Sequence, residues 1–252
     1  MIDLLLPYAV TFGLLLARTT ALLVAVPALG GESLPGRLRA ALAGLFAVLL
    51  TIKVGGTENP GALQLGLLAG GEFLLGMAMG LCVRLVMIAA ELAGELAGMQ
   101  MGFAFNRVVD PMTRESGAVT SRLYGMIAMA LFIGLDGPRL VIAALTRSVD
   151  AVPAGAALAH ATSLATVVEL LQVVSLAGLR IAAPIVTALL LTNVAVGLLS
   201  RAAPQLNLFV MAFGISIGVG MFMMASAAWP SFSIVLEEMR RLPEHMSRVL
   251  SF

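Results

Sequence analysis

The chain has 252 residues and a formal net charge of +1; 60% of its residues are apolar, only 12% are charged, and the mean hydropathy is +1.03. A soluble domain carries about a quarter charged residues, roughly twice this share, so a hydrated globule is excluded and the surroundings are lipid or other protein. The near-zero charge also argues against a nucleic-acid or polyanion binder.

The first charge is Asp3 and no basic stretch precedes the opening apolar run, which continues past Ala25. That pattern predicts an uncleaved membrane segment rather than a signal peptide. Apolar stretches then fall near 4–29, 40–52, 59–90, 123–135, 164–200 and 202–236. All are read as helices, because an isolated strand cannot satisfy its backbone in lipid. Residues 40–52 give a helix of only about 20 Å, and 123–135 is equally short, against a hydrocarbon core of about 30 Å. By contrast, 202–236 runs without one charge for longer than a single crossing needs.

Two polar connectors interrupt the pattern. Residues 106–122 carry Asn106, Arg107, Asp110, Pro111, Arg114, Glu115 and Arg122, and by themselves read as a solvated loop. Residues 136–163 read as a second connector, Ala-rich and punctuated by Pro138 and Pro153. Towards the C-terminus, 181–200 is uncharged, Arg201 and Pro204 mark a turn, and a further apolar run follows, which together predict a helical hairpin. Pro184 and Trp229-Pro230 mark bends or boundaries. The tail over 237–248 predicts a short amphipathic helix broken at Pro243.

Charges inside the apolar runs need a second explanation. Arg18, Glu72, Arg84, Glu169 and Arg180 interrupt them, and each costs about 2.5–3.5 kcal/mol at a helix centre in lipid. Glu169 and Arg180 share a helix face, as do Arg84 and Glu91, and Glu91 stacks on Glu95. Such residues are expected to face protein or water. Six spans with an external N-terminus place Arg37, Arg39, Arg107, Arg114, Arg122 and Arg201 on one side, and Lys53, Arg139, Arg147, Arg240, Arg241 and Arg248 on the other. This even division gives no orientation by the positive-inside rule, and suggests helices that do not simply cross one after another.

Glycines recur at four-residue spacing: Gly94, Gly98 and Gly102, Gly66 and Gly70, Gly76 and Gly80, Gly214 and Gly218. Faces of this kind let helix backbones approach closely, within one chain or between chains. Catalytic and metal signatures are weak. His160, His245 and Cys82 lack ligand spacing, and there is neither a P-loop nor a dinucleotide fingerprint, so no metal, no cofactor and no enzymatic activity are expected. Gly214-Ile-Ser216-Ile-Gly218 matches G-x-S-x-G, but no base is placed to activate Ser216, which reads as a helix-packing residue. Clustered methionines such as Met99, Met101, Met112, Met221, Met223 and Met224 can pack a core or seal a pore against varied cargo.

The run Gly94-x-x-x-Gly98-Met-Gln100-Met-Gly102-Phe103, followed by Asp110-Pro111, resembles the central motif of the FliR/SctT-type export-gate family. So do Pro184, Asn193, the run Gly197-Leu-Leu-Ser-Arg201-Ala-Ala-Pro204-Gln205-Leu-Asn207-Leu-Phe209 and Gly218, and in the N-terminal part Arg18, Pro27, Pro35 and Arg39. The chain departs from the family at Gly137-Pro138-Arg139, where a Gly-His pair is common, and at Gly214-Ile215-Ser216, where Pro and Lys are common.

The resemblance implies an all-α fold of membrane-associated helical hairpins, with a FliP-like N-terminal part over 1–163 and a FliQ-like C-terminal hairpin and tail over 164–252. It implies a bacterial inner-membrane subunit of the flagellar basal body that forms a pore with FliP-like and FliQ-like subunits, contacts an FlhB-like subunit and passes unfolded export substrates. It also implies a plug loop near 106–122 containing Asn106, Arg107, Val108, Val109, Asp110, Pro111, Met112, Thr113, Arg114 and Glu115. Short spans and the internal charges Arg18, Glu72, Arg84, Glu91, Glu169, Arg180 and Arg201 then follow from helices packed on protein. An injectisome homologue and, further off, an ion or small-molecule transporter using Glu72, Arg84 and Glu169 are the alternatives.

Overall fold

The computed structural model describes residues 2–27, 29–30, 35–57, 60–103, 119–158, 164–202 and 208–250. Among these residues every regular element is a helix. In chain order they are α1 (Ile2–Ala25), α2 (Gly36–Val54), α3 (Ala62–Gln100), α4 (Val119–Gly134), α5 (Gly137–Ala151), α6 (Leu164–Ala202), α7 (Leu208–Ser226), α8 (Ala228–Arg240) and α9 (Leu242–Leu250). Three stretches are long and apolar enough to cross a membrane: Leu5–Ala25, Leu63–Gln100 and Leu171–Ala202. Two bent pairs, Val119–Gly134 with Gly137–Ala151 and Met211–Ser226 with Ala228–Arg240, raise the number of candidate spans to five.

The short apolar runs gain length from their polar flanks: 40–52 lies within the 19 residues of α2, and 123–135 overlaps the 16 of α4. Two helices exceed a bilayer. α3 and α6 hold 39 residues each, which at 1.5 Å per residue is roughly 58 Å, about twice the hydrocarbon thickness.

The expected connector over 136–163 is corrected in its first half, which is the helix α5. The prolines taken as loop punctuation mark its ends. Pro138 occupies the first turn, where its missing N–H loses no bond, and Pro153 follows the C-cap residue Val152. Valines and leucines at Val141, Leu145 and Val149 supply the buried stripe.

The chain divides into two compact units. One comprises Met1–Leu85, Phe132–Gln172 and Met239–Phe252. Its core holds Leu14, Leu15 and Leu22 of α1, Ala43, Ala47 and Leu50 of α2, Met79 and Val83 of α3, and the stripe on α5. The amphipathic helix α9 packs against α5 and buries Leu242, Met246 and Val249. Its break from α8 lies at Arg241, two residues before Pro243.

The other unit comprises Val86–Leu131 and Val173–Glu238. Small residues dominate its core along α3, namely Ala89, Ala90, Ala93 and Ala97, and these admit Ala177, Ile181, Ile185 and Leu189 of α6 to the interior. α6 continues through Pro184. α7 and α8 meet at 55°, the break falling at Ala227, so that Pro230 sits in the first turn of α8.

Candidate functional site

The buried charge comes first. Arg18 and Glu72 interrupt apolar helices, and both side chains are completely buried. Arg18 Nε donates to Glu72 Oε2 at 2.5 Å, its Nη1 to Ser148 Oγ at 3.2 Å and its Nη2 to the carbonyl of Val152 at 3.0 Å. The other carboxylate oxygen of Glu72 accepts the N–H of Gly155 at 2.9 Å. One cluster therefore joins α1, α3 and α5 with the turn after α5. The approach of α1 to α3 that permits it depends on glycine: a Cβ at Gly76 would overlap the carbonyl of Arg18, and one at Gly80 would overlap Ala25 and lie 2.9 Å from the carbonyl of Leu22.

The remaining internal charges behave differently. Arg84, Glu91, Arg180 and Arg201 are exposed on the surface of this chain. Glu169 lies on α6, among residues whose side chains are not described.

The glycine stripe on the second half of α3 divides into distinct roles. A Cβ at Gly94 would lie 2.8 Å from Ser121 Cα and against the carbonyl of Thr120, on α4. Thr120 Oγ1 donates to the carbonyl of Gly94 at 2.6 Å, and Ser121 Oγ donates to that of Glu91 at 2.9 Å. Gly102 instead ends the helix. Its φ is +89°, Phe103 N–H bonds the carbonyl of Gly98 at 2.9 Å, and Gly102 N–H bonds that of Met99 at 3.2 Å. These are the paired bonds of a Schellman cap, in which glycine relieves the left-handed backbone conformation. Gly214 and Gly218 have open space where a Cβ would stand, as do Gly66 and Gly70.

Just past this cap the polar atoms converge again. Ser216 Oγ on α7 donates to Asn193 Oδ1 on α6 at 3.0 Å, and Asn193 Nδ2 donates to Gln100 Oε1 at the end of α3 at 3.4 Å. Asn193 lies nine residues before the end of α6 and Ser216 eight after the start of α7, so this bond pairs the two helices antiparallel. An amide oxygen cannot act as the base a nucleophilic serine requires, and Ser216 is held as a packing residue. Phe213 covers Gly102, and Met101 fills the space beside Gly220.

Of the expected plug loop near 106–122, residues 106–118 lie outside the described residues, as does His160, and the last four are corrected to the first turn of α4. Ser148, Val152 and Gly155 were not legible in advance. Arg18 and Glu72 announced that partners were needed, but nothing in their spacing indicated which.

Residues 9–242 match the family described as bacterial export proteins, family 1. The flagellar biosynthetic protein FliR of Escherichia coli is 32% identical over 84% of this chain and 81% of its own length. The chain belongs to the FliR family. FliR of Caulobacter vibrioides is 29% identical over 84% of the chain and 86% of the relative, and FliR of Bacillus subtilis is 24% identical over 92% and 93%. Membership makes this a membrane-embedded transport component rather than a catalytic enzyme. Several FliR-type motif residues carry the geometry described above: Arg18 forms the buried cluster, Gly94 and Gly102 set the packing and capping of α3, and Gln100 and Asn193 form the polar bridge. At the departure from the family pattern, Gly137 is still sterically required, because a Cβ there would overlap the ring of Phe132.

Proposed function

We propose that this chain is an export-gate subunit of the flagellar type III secretion apparatus in the bacterial inner membrane. On this reading it forms a pore with FliP-like and FliQ-like subunits, contacts an FlhB-like subunit and passes unfolded flagellar proteins. The N-terminal part over 1–163 is FliP-like, the C-terminal hairpin over 164–252 is FliQ-like, and the segment around 106–115 obstructs the closed pore.

The observation that carries this reading is the exposure of Arg84 and Arg180 on helices whose neighbouring surface is apolar. Leu179 and Leu190 on α6 are more than half exposed, and Arg180 lies beside the first of them. A guanidinium in that position requires protein or water around it, which partner subunits surrounding a pore supply. The length of α3 and α6 supports a body that extends beyond the hydrocarbon layer. The open faces at Gly214 and Gly218 leave room for another helix to approach. A transporter built around Glu72 is disfavoured, because both oxygens of that carboxylate are already engaged.

Purification of the tagged chain from native membranes in mild detergent, with mass spectrometry of what accompanies it, tests the assembly. Two further small hydrophobic proteins resembling FliP and FliQ are expected. Recovery as a homo-oligomer, with those proteins expressed, would favour the transporter. Deletion within 106–115 is expected to raise ion leakage through the assembled gate, and unchanged leakage with intact assembly removes the plug assignment.

A further inference from the structure

The bridge of Gln100, Asn193 and Ser216 serves no purpose that the export reading has so far assigned. It lies at one level of the unit formed by Val86–Leu131 and Val173–Glu238, where the last turn of α3 meets α6 and α7. None of the three side chains carries a charge in its ordinary state, so the bridge is indifferent to pH and to transmembrane voltage. Its members are amides and a hydroxyl on mostly apolar helices: Leu190, Leu191, Thr192 and Val194 flank Asn193 in sequence, and Ile215 adjoins Ser216.

Two apolar contacts act at the same level. Phe213 covers Gly102, and Met101 lies against Gly220. The last turn of α3 is thus fixed to α7 by a ring and a thioether chain, and through Asn193 by hydrogen bonds. Gly102 provides the point of articulation, since its left-handed backbone ends the helix one residue beyond Met101.

We propose that Gln100, Asn193 and Ser216 form a latch that holds the last turn of α3 on the α6–α7 pair and keeps the export gate in its non-conducting state. This rests on the export-gate reading. The three are positioning residues. Breaking the amide bridge frees the turn at Gly102 while leaving the buried cluster at Arg18 intact. A side-chain hydrogen bond between membrane helices is individually weak, which suits an element that has to release during transport.

The test measures ion leakage through the assembled complex in membrane vesicles, with co-purified partners quantified as the measure of assembly. Gln100→Leu is expected to raise leakage about threefold, the population change expected on losing one such bond, and Asn193→Leu, which also loses the bond from Ser216, at least as much. The double variant is expected to leak no more than the leakier single variant, because both substitutions remove the same bond. A multiplicative effect of about ninefold would show two independent contributions and overturn the latch. Should Asn193→Leu fail to assemble, Ser216→Ala, which removes one hydroxyl, is read instead and is expected to leak more than wild type. Wild-type leakage in assembled complexes overturns the proposal.

A deletion within 106–115 serves as the control. If it leaks and the bridge variants do not, the latch alone is wrong. If it does not leak and the bridge variants do, the plug assignment alone is wrong.

Discussion

The guanidinium of Arg18 and the carboxylate of Glu72 meet at 2.5 Å with neither side chain exposed, joining α1 to α3. Either charge alone would be expensive in lipid, and together with Ser148, the Val152 carbonyl and the Gly155 N–H they form a closed set.

Removing one member should therefore cost more than removing both. Glu72→Ala is expected to destabilise the chain by about 3–5 kcal/mol, because it leaves the Arg18 guanidinium buried without its carboxylate. Replacing the pair as Arg18→Met with Glu72→Leu should recover most of that loss. Thermal unfolding in detergent decides it: a double variant as unstable as the single one would show that the geometry, rather than the uncompensated charge, dominates.

The positive φ of Gly102 and the ring above it make separable contributions. Gly102→Ala is expected to destabilise by about 1–2 kcal/mol from the left-handed backbone alone, with the overlap on Phe213 added to it. Combining it with Phe213→Ala should relieve only the overlap, at the expense of the ring's own packing. Full restoration in the melting curve would mean that the backbone conformation adapts and the cap is dispensable.

The glycines of α3 and α7 make opposite predictions. Gly94→Val should damage the isolated chain, since α4 lies against the site, and reduce its yield in folded form. Gly214→Leu and Gly218→Leu should leave it folded, because space is open there. Those two substitutions should instead reduce co-purification of partner subunits. Unimpaired co-purification would leave the α7 glycines without an assembly role.

Lys53 and Asp150 offer a calibration. Lys53 Nζ donates to both carboxylate oxygens, at 2.6 and 2.7 Å, and to the carbonyl of Thr146 at 3.3 Å, but both side chains are substantially exposed. Lys53→Met is expected to change stability by less than about 1 kcal/mol, with the difference shrinking in high salt. A larger, salt-independent loss would show that this pair is shielded from water in the assembly.

Arg84→Leu and Arg180→Leu should behave as surface changes in the isolated chain and as defects in the complex. The measurement is the ratio of recovered partners to bait. An unchanged ratio for both variants would remove the main support for partner subunits around these charges.

Hydropathy made the helical class legible, since long uncharged stretches in lipid have few other solutions. The antiparallel pairing of α6 with α7 was also readable, from the uncharged run before Arg201 and Pro204. The helix α5 was missed because Arg139, Arg147 and Asp150 gave it the composition of a connector, and its proline at the start was read as an interruption. Ser148 could not be foreseen as a partner of Arg18: they are 130 residues apart, and such contacts depend on packing rather than local pattern. Gly102 belonged to a regular four-residue spacing, which concealed that it terminates the helix whose face it seemed to continue.

Pro184 has a consequence for Arg180. Lacking an N–H, the proline cannot supply the helical bond to the carbonyl four residues earlier, and that carbonyl belongs to Arg180. One residue therefore presents a guanidinium and an under-bonded backbone oxygen at the same level of an otherwise greasy rod. On the export-gate reading, both groups are met by neighbouring subunits or by water, so α6 is expected to be wrapped by protein at this level rather than by lipid.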